Sequence, residues 1–127
     1  MSRLRLWGPV WVQMALIFIA SSIPNLTHLP GDMSDKTGHG IGYGLLGIVL
    51  LRAFARGRRS AVTFGVVLLT IVCATAYGIS DEFHQWFVPG RTADVHDVMA
   101  DAIGATLAAV GAWAILKAIG PQERHDL

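Results

Sequence analysis

Four long apolar stretches dominate the chain, over about 6–23, 38–55, 61–79 and 98–119. Pro24 closes the first, the basic cluster Arg56, Arg58 and Arg59 follows the second, and Gly120-Pro121 ends the fourth. A helix that crosses the hydrocarbon core of a bilayer needs about 20 mainly apolar residues. The pattern therefore predicts an all-α protein, a four-helix transmembrane bundle. Residues 80–97 are too long for a tight turn and set Phe83, Trp86 and Phe87 among charges. This predicts a short interfacial or re-entrant segment between the third and fourth helices. No internal repeat, low-complexity tract or linker breaks the pattern, so a single domain over 1–127 is expected.

Composition strengthens the membrane reading. Charged residues make up 15% and hydrophobic residues 53% of the 127 positions, where a soluble domain has about 25% charged residues. A soluble monomer this apolar would expose large greasy patches. The placement of charge adds an orientation. Of ten Lys and Arg, Arg3, Arg5, Arg52, Arg56, Arg58, Arg59, Lys117 and Arg124 lie on one side of the spans, and Lys36 and Arg91 on the other. Basic loops stay in the cytoplasm, so both termini are expected to be cytoplasmic and segments 24–37 and 80–97 to face outward. The first stretch, with its basic start and Ala20, Ser21 and Ser22, also has the outline of a signal peptide. It is read here as a span, and its removal would leave the remaining topology unchanged.

The chemistry gathers on the outward side. Seven of the nine acids lie there, namely Asp32, Asp35, Asp81, Glu82, Asp94, Asp97 and Asp101, with His28, His39, His84 and His96. Lys36 and Arg91 cannot neutralise them all, so some carboxylates must be solvated, protonated or bound to a cation. Residues three, four and seven apart share a helix face. Lys36, His39 and Tyr43 fit that spacing at the start of the second span. Tyr77, Asp81 and His84 or Gln85 fit it at the end of the third. Asp94, Asp97 and Asp101 fit it if the fourth helix begins early. Ionisable groups inside apolar runs usually face a bundle interior or wet cavity, so the three stripes are expected to converge on one pocket open to the outside.

Two chemistries suit that pocket. Asp81, Glu82, His84, Asp97 and Asp101 are candidate ligands for a divalent metal, although no HExxH or comparable motif is present. Alternatively Asp81, Glu82, Asp97 and His39 act as acid, base or proton shuttle, while Arg91 and Lys36 hold an anionic group. Tyr43, Gln85 and Asp35 complete the substrate-binding set. A purely structural network is the competing reading, with Lys36 and Arg91 each clamping two carboxylates and Tyr43, Tyr77 and Gln85 bonding the rest. Asp32, His28 and His96, taken singly, read as solvated loop residues.

The remaining signals are structural. Gly42-Tyr43-Gly44-Leu45-Leu46-Gly47 matches GxGxxG, but it lies inside a span with no preceding strand, so no nucleotide is expected. Gly38/Gly42, Gly40/Gly44, Ala74/Gly78 and Gly104/Ala108 are small-xxx-small pairs that let helices approach closely. The lone Cys73 reads as a packing residue. The cluster Arg56 to Arg59 reads as a topology signal that touches anionic lipid heads, and no basic aromatic patch suggests nucleic acid. Gln13 is expected to make an interhelical hydrogen bond.

Several of these residues fall into ordered motifs. Asp35-Lys36-Thr37-Gly38-His39 leads to Tyr43 and Gly47. Asp81-Glu82-Phe83-His84-Gln85 leads into Phe87-Val88-Pro89-Gly90-Arg91, and Asp97-Val98-Met99-Ala100-Asp101 precedes Gly104. With Ser21-Ser22-Ile23-Pro24, this resembles the VanZ-like membrane proteins over roughly 9–119. The family often has Asn where this chain has Asp101, which favours a cation or a shared proton there. The resemblance implies a multi-pass protein of the bacterial cytoplasmic (inner) membrane whose founding members are linked to resistance against teicoplanin, a glycopeptide antibiotic. Three functions follow as expectations. One is a cell-envelope enzyme acting on a lipid-linked or phosphate-bearing substrate at the outer face. Another is a protein that binds a lipid, a cell-wall precursor or an antibiotic without turnover. The third is a small ion-coupled carrier, for which inverted repeats are lacking.

Overall fold

The computed structural model describes residues 1–23 and 35–120, with Asp35 described through its backbone only. His28, Asp32, Pro24, Arg124 and the side chain of Asp35 lie outside the described residues. The described residues form four α-helices: α1 Arg3–Ser21, α2 Asp35–Phe54, α3 Phe64–Gln85 and α4 Val95–Ile119. A short 3₁₀ turn, Arg59–Ala61, precedes α3. Among the described residues there is no strand.

α1, α3 and α4 are long and apolar enough to cross a membrane. α2 is not, for a reason its position explains. It carries Asp35, Lys36, His39 and Arg52 as well as five glycines, and it packs against all three other helices. A helix surrounded by its neighbours shows lipid less surface, so its polar face can point inward. Ile41, Leu45 and Ile48 are its apolar exposed face.

The buried stripes change character along each helix. α4 buries Asp97, Asp101, Ala105 and Ala109 at four-residue spacing. α3 buries Val67, Thr70, Ala74 and Gly78, then Asp81, Glu82 and Gln85. One end of the bundle is thus apolar and tightly packed, and the other is acidic. Leu46, Leu50, Tyr43, Ala74 and Ala105 form the centre of the core. Small residues let α2 and α4 nearly touch. A methyl group on Gly47 would meet the Ala105 backbone at 3.2 Å, and one on Gly44 would meet the Gly104 carbonyl at 3.5 Å.

The basic end is held by backbone chemistry. Pro9 lies inside α1, and a proline has no N–H to bond the carbonyl four residues back. That carbonyl belongs to Arg5, and the Arg52 guanidinium donates to it at 2.8 Å. Arg52 thereby satisfies the group that Pro9 leaves open and ties α2 to α1. The Arg56 to Arg59 cluster begins as the cap of α2: Arg56 and Gly57 both take positive φ, and the Gly57 N–H bonds the Arg52 carbonyl at 2.9 Å. Lys117 lies 4.3 Å over the Trp113 ring at the same end.

Helix ends differ from the hydropathy boundaries at the acidic end. α3 runs to Gln85 and α4 starts at Val95, so residues 80–85 and 95–97 are helical. Residues 86–94 connect them without a helix of their own. The expected 80–97 segment is therefore divided between the polar last turns of α3, the connection 86–94 and the first turn of α4. Hydropathy stops where charge begins, whereas the helix continues because its charges face inward. Thr63 caps α3, accepting from the Val66 N–H at 3.3 Å. Thr63→Ala is expected to lower stability by about 1 kcal/mol, and Thr63→Ser to restore most of it, as measured by thermal unfolding in detergent.

Candidate functional site

The acidic end is assembled from the last two turns of α3, the first two turns of α4 and the first two turns of α2. His39 and Tyr43 of the α2 stripe, Asp81 and Gln85 of the α3 stripe and Asp97 and Asp101 of the α4 stripe turn inward, while Lys36 stays exposed. On α3, Asp81 and Gln85 share the buried face with Glu82. His84 turns away, accepting or donating with Ser22 Oγ at 2.9 Å and stacking on Phe18 of α1 at 4.5 Å. On α4, Asp94 is the N-cap and Asp97 and Asp101 are buried. The early start of α4 puts all three on one stripe. The hydrogen bond from the His96 backbone N–H, at 2.8 Å, holds the Asp94 carboxyl below the usual carboxylate range, helped by the His96 side chain.

Contacts between helices join the stripes. His39 Nδ1 lies 2.7 Å from Asp101 Oδ1, and His39 Nε2 lies 3.9 Å from Asp97 Oδ2. Tyr43 donates to Asp81 Oδ2 at 3.3 Å, and Ser21 of α1 is another hydrogen-bonding neighbour of Asp81. Lys36 donates to both Asp94 and Asp97 at 3.4 Å, the double clamp that a structural network requires. Tyr77 is engaged elsewhere, donating to the Met14 carbonyl of α1 at 2.7 Å. Gln13 donates to the Gly42 carbonyl at 3.0 Å, the interhelical bond expected from sequence. Glu82 Oε2 accepts from the Asp94 backbone N–H at 2.9 Å, which fixes the start of α4 against the end of α3.

Among the described residues, three buried side-chain polar atoms lack a hydrogen-bond partner: Glu82 Oε1, Gln85 Nε2 and Asp101 Oδ2. Leaving such a group unpaired costs about 1–3 kcal/mol, and more if it is charged. Gln85 is 2% exposed and lines a cavity of about 200 Å³ between α1, α2 and α3. Gln13, Ser21, His39, Tyr43, Asp81 and Arg91 give it polar walls, and Leu16, Ile17 and Ala20 give it an apolar side. Spacing does not place α1 in the pocket wall: Gln13 reads from sequence as an interhelical hydrogen bond and Ser21 as part of the motif that closes the first span.

The metal candidates divide. His39, Glu82 and Asp101 present ligand atoms within 4.8 Å of one another. Asp97 is engaged by Lys36, Asp81 by Tyr43 and His84 by α1, and none of the three belongs to that group. Glu82 and Asp101 were expected from sequence as ligands. His39 was expected as a proton shuttle instead, and its placement beside Asp101 depends on the α2–α4 crossing.

Fold and site together define an all-helical protein of membrane type, with an acidic, histidine-bearing pocket at one end of the bundle. The chain belongs to the VanZ/LLP1 family, whose pattern matches residues 7–117. It is 32% identical over 95 residues to an uncharacterized protein of Schizosaccharomyces pombe, covering 75% of this chain and 56% of that one. It is 40% identical over 70 residues to alpha-(1->6)-mannopyranosyltransferase B of Corynebacterium glutamicum, covering 54% of this chain and 10% of that enzyme. The chain thus spans little more than half of the first relative and a tenth of the second. No solved structure matches it.

Proposed function

We propose that the protein crosses the membrane four times, with its basic end in the cytoplasm, and that its acidic pocket receives the head group of a lipid-linked, phosphate-bearing molecule. The setting implied by the family is the outer face of a bacterial cytoplasmic membrane. Arg3, Arg5, Arg52, Arg56, Arg58, Arg59 and Lys117 at one end support the orientation through the positive-inside rule. Exposed Trp86, flanked by exposed Phe83 and Phe87, supports an interface at the other, because the amphipathic ring of Trp collects at the head-group level.

The observation that carries the functional reading is the Gln85 amide, buried and unpaired in the cavity wall. A ligand oxygen would satisfy it. The cavity is polar on one side and apolar on the other, which suits a molecule with a charged head and an alkyl tail. Arg91 and Gln85 would hold the head group, His39 would move a proton with Asp101, and Asp81, Glu82 and Asp97 would supply acid or base. The likeness to part of a mannopyranosyltransferase supports a sugar-bearing head group within this class. The Lys36 clamp on Asp94 and Asp97 favours a second reading, capture of the ligand without turnover, because it leaves fewer carboxylates free to react.

Native mass spectrometry of protein extracted gently from its own membrane separates these outcomes. Wild-type protein is expected to retain one lipid-linked or phosphate-bearing molecule per chain, and Gln85→Leu to retain none. Asp81→Asn and Glu82→Gln are expected to retain the molecule but not convert it. Full retention by Gln85→Leu, or a wild-type chain that carries nothing, overturns the head-group site. Conversion at the wild-type rate by both amide variants overturns the catalytic assignment.

A further inference from the structure

We infer that His39, Glu82 and Asp101 form a binding site for one divalent transition-metal ion of the Zn²⁺ or Mn²⁺ type. The ion would sit at the inner wall of the cavity, since His39 belongs both to that wall and to this group. The role given to the ion rests on the head-group reading above, while its binding rests on the geometry alone.

The three residues come from three different helices, α2, α3 and α4, so only the folded bundle brings them together. Their ligand atoms lie within 4.8 Å of one another. Ligands opposite each other across an ion stand about 4–5 Å apart, given metal–oxygen distances of about 2.0–2.6 Å. The three side chains are largely buried. Asp101 is fully buried, Glu82 is 7% exposed, and the His39 side chain is 8% exposed.

Each carboxylate already uses one oxygen and leaves the other unpaired. Asp101 Oδ1 faces His39, and Oδ2 has no partner. Glu82 Oε2 accepts from the Asp94 backbone, and Oε1 has no partner. Two buried carboxylate oxygens without donors are costly unless a cation or proton joins them. The Asp94 N–H on Glu82 Oε2 holds that ligand in place, as outer-shell bonds do in metal sites. Lys36 stands on Asp94 and Asp97 instead. One imidazole with two carboxylates suits Zn²⁺ or Mn²⁺ better than Ca²⁺ or Mg²⁺, which prefer all-oxygen shells. Three protein ligands leave positions open for water or a phosphate oxygen.

The test uses the full chain in detergent, stripped with a chelator and titrated with Zn²⁺, Mn²⁺ or Co²⁺ alone. One ion per chain is expected by calorimetry. Glu82→Gln, Asp101→Asn and His39→Gln are each expected to weaken binding by at least about tenfold. Asp94→Asn removes a nearby acid but keeps a good N-cap, and is expected to bind within about threefold of wild type. The Co²⁺ visible spectrum of the wild-type chain should differ from that of the aqueous ion in band position and intensity, a readout that needs no variant to fold. Absence of stoichiometric binding by any of the three ions, or wild-type affinity in Glu82→Gln and Asp101→Asn, overturns the site and leaves a shared proton as the reason for the paired carboxylates. Ion binding without retained head group would sink the functional reading and leave this one standing, and a retained head group without ion binding would do the reverse.

Discussion

Gly104→Ala is expected to lower the stability of the bundle by up to about 3 kcal/mol, the range for overpacking a core that cannot relax. A methyl group there would fall 2.9 Å from both the carbonyl carbon and the α-carbon of Gly40, and closer still to its carbonyl oxygen. All three are backbone atoms, so no side chain can rotate away. The helices would have to separate, and α2 and α4 share the largest interface in the fold. Separation would also loosen the His39–Asp101 contact, which lies just above this crossing. Gly40→Ala and Gly111→Ala are the matched controls, because a methyl group at either meets nothing within 4 Å. Both should be neutral or mildly stabilising, since alanine favours a helix over glycine by about 1 kcal/mol. Thermal unfolding of the three variants in one detergent reads the difference. Equal stability of Gly104→Ala and Gly111→Ala would mean that the crossing has room for a methyl group.

The asymmetry between Gly40 and Gly104 marks what the sequence could and could not disclose. Small-xxx-small spacing identified Gly40/Gly44 and Gly104/Ala108 as packing residues, because any close helix crossing needs them. It could not say which glycine faces which backbone. The same limit applies to the site. Periodicity put Lys36, His39 and Tyr43 on one face and Asp94, Asp97 and Asp101 on another, and these faces do meet. The pairing of His39 with Asp101, and of Tyr43 with Asp81, depends on the rotation and height of α2 against its neighbours. Those are set by the contacts of Gly44, Gly47 and Gly104, which no local pattern encodes. Hydropathy also located α3 and α4 but cut both short at the acidic end. Their terminal turns are polar because they line a pocket, and a hydropathy window cannot tell an inward charge from a solvated one. The choice between His84 and Gln85 was open for the same reason. Both fit the α3 stripe by spacing, and the position of Ser22 and Phe18 on α1 draws His84 outward.

Gly78→Ala is expected to disable the pocket while keeping the helices. Gly78 lies on the buried face of α3, one turn before Asp81 and Glu82. A methyl group there would come 2.7 Å from Asp101 Oδ2, with the Asp101 β- and γ-carbons at 3.2 and 3.3 Å. Asp101 cannot simply swing aside. It is fully buried, it has a short side chain, and its other oxygen is held by His39 at 2.7 Å. The added methyl therefore pushes the carboxylate off His39 or pushes α3 away from α4. Overpacking would cost about 1–3 kcal/mol, offset by about 1 kcal/mol from replacing glycine within a helix. The net stability loss is expected to be small, and the loss at the site large. Head-group retention in native mass spectrometry and metal affinity should both fall at least about tenfold, with circular dichroism unchanged. Gly65→Ala, near the start of the same helix and 3.8 Å from its nearest neighbour atom, should keep both. Wild-type ligand retention and wild-type metal affinity in Gly78→Ala would show that the position of the Asp101 carboxylate does not matter to the pocket. The chemistry would then rest on Asp81, Gln85 and Arg91, at the cavity wall, without the α4 carboxylate behind them.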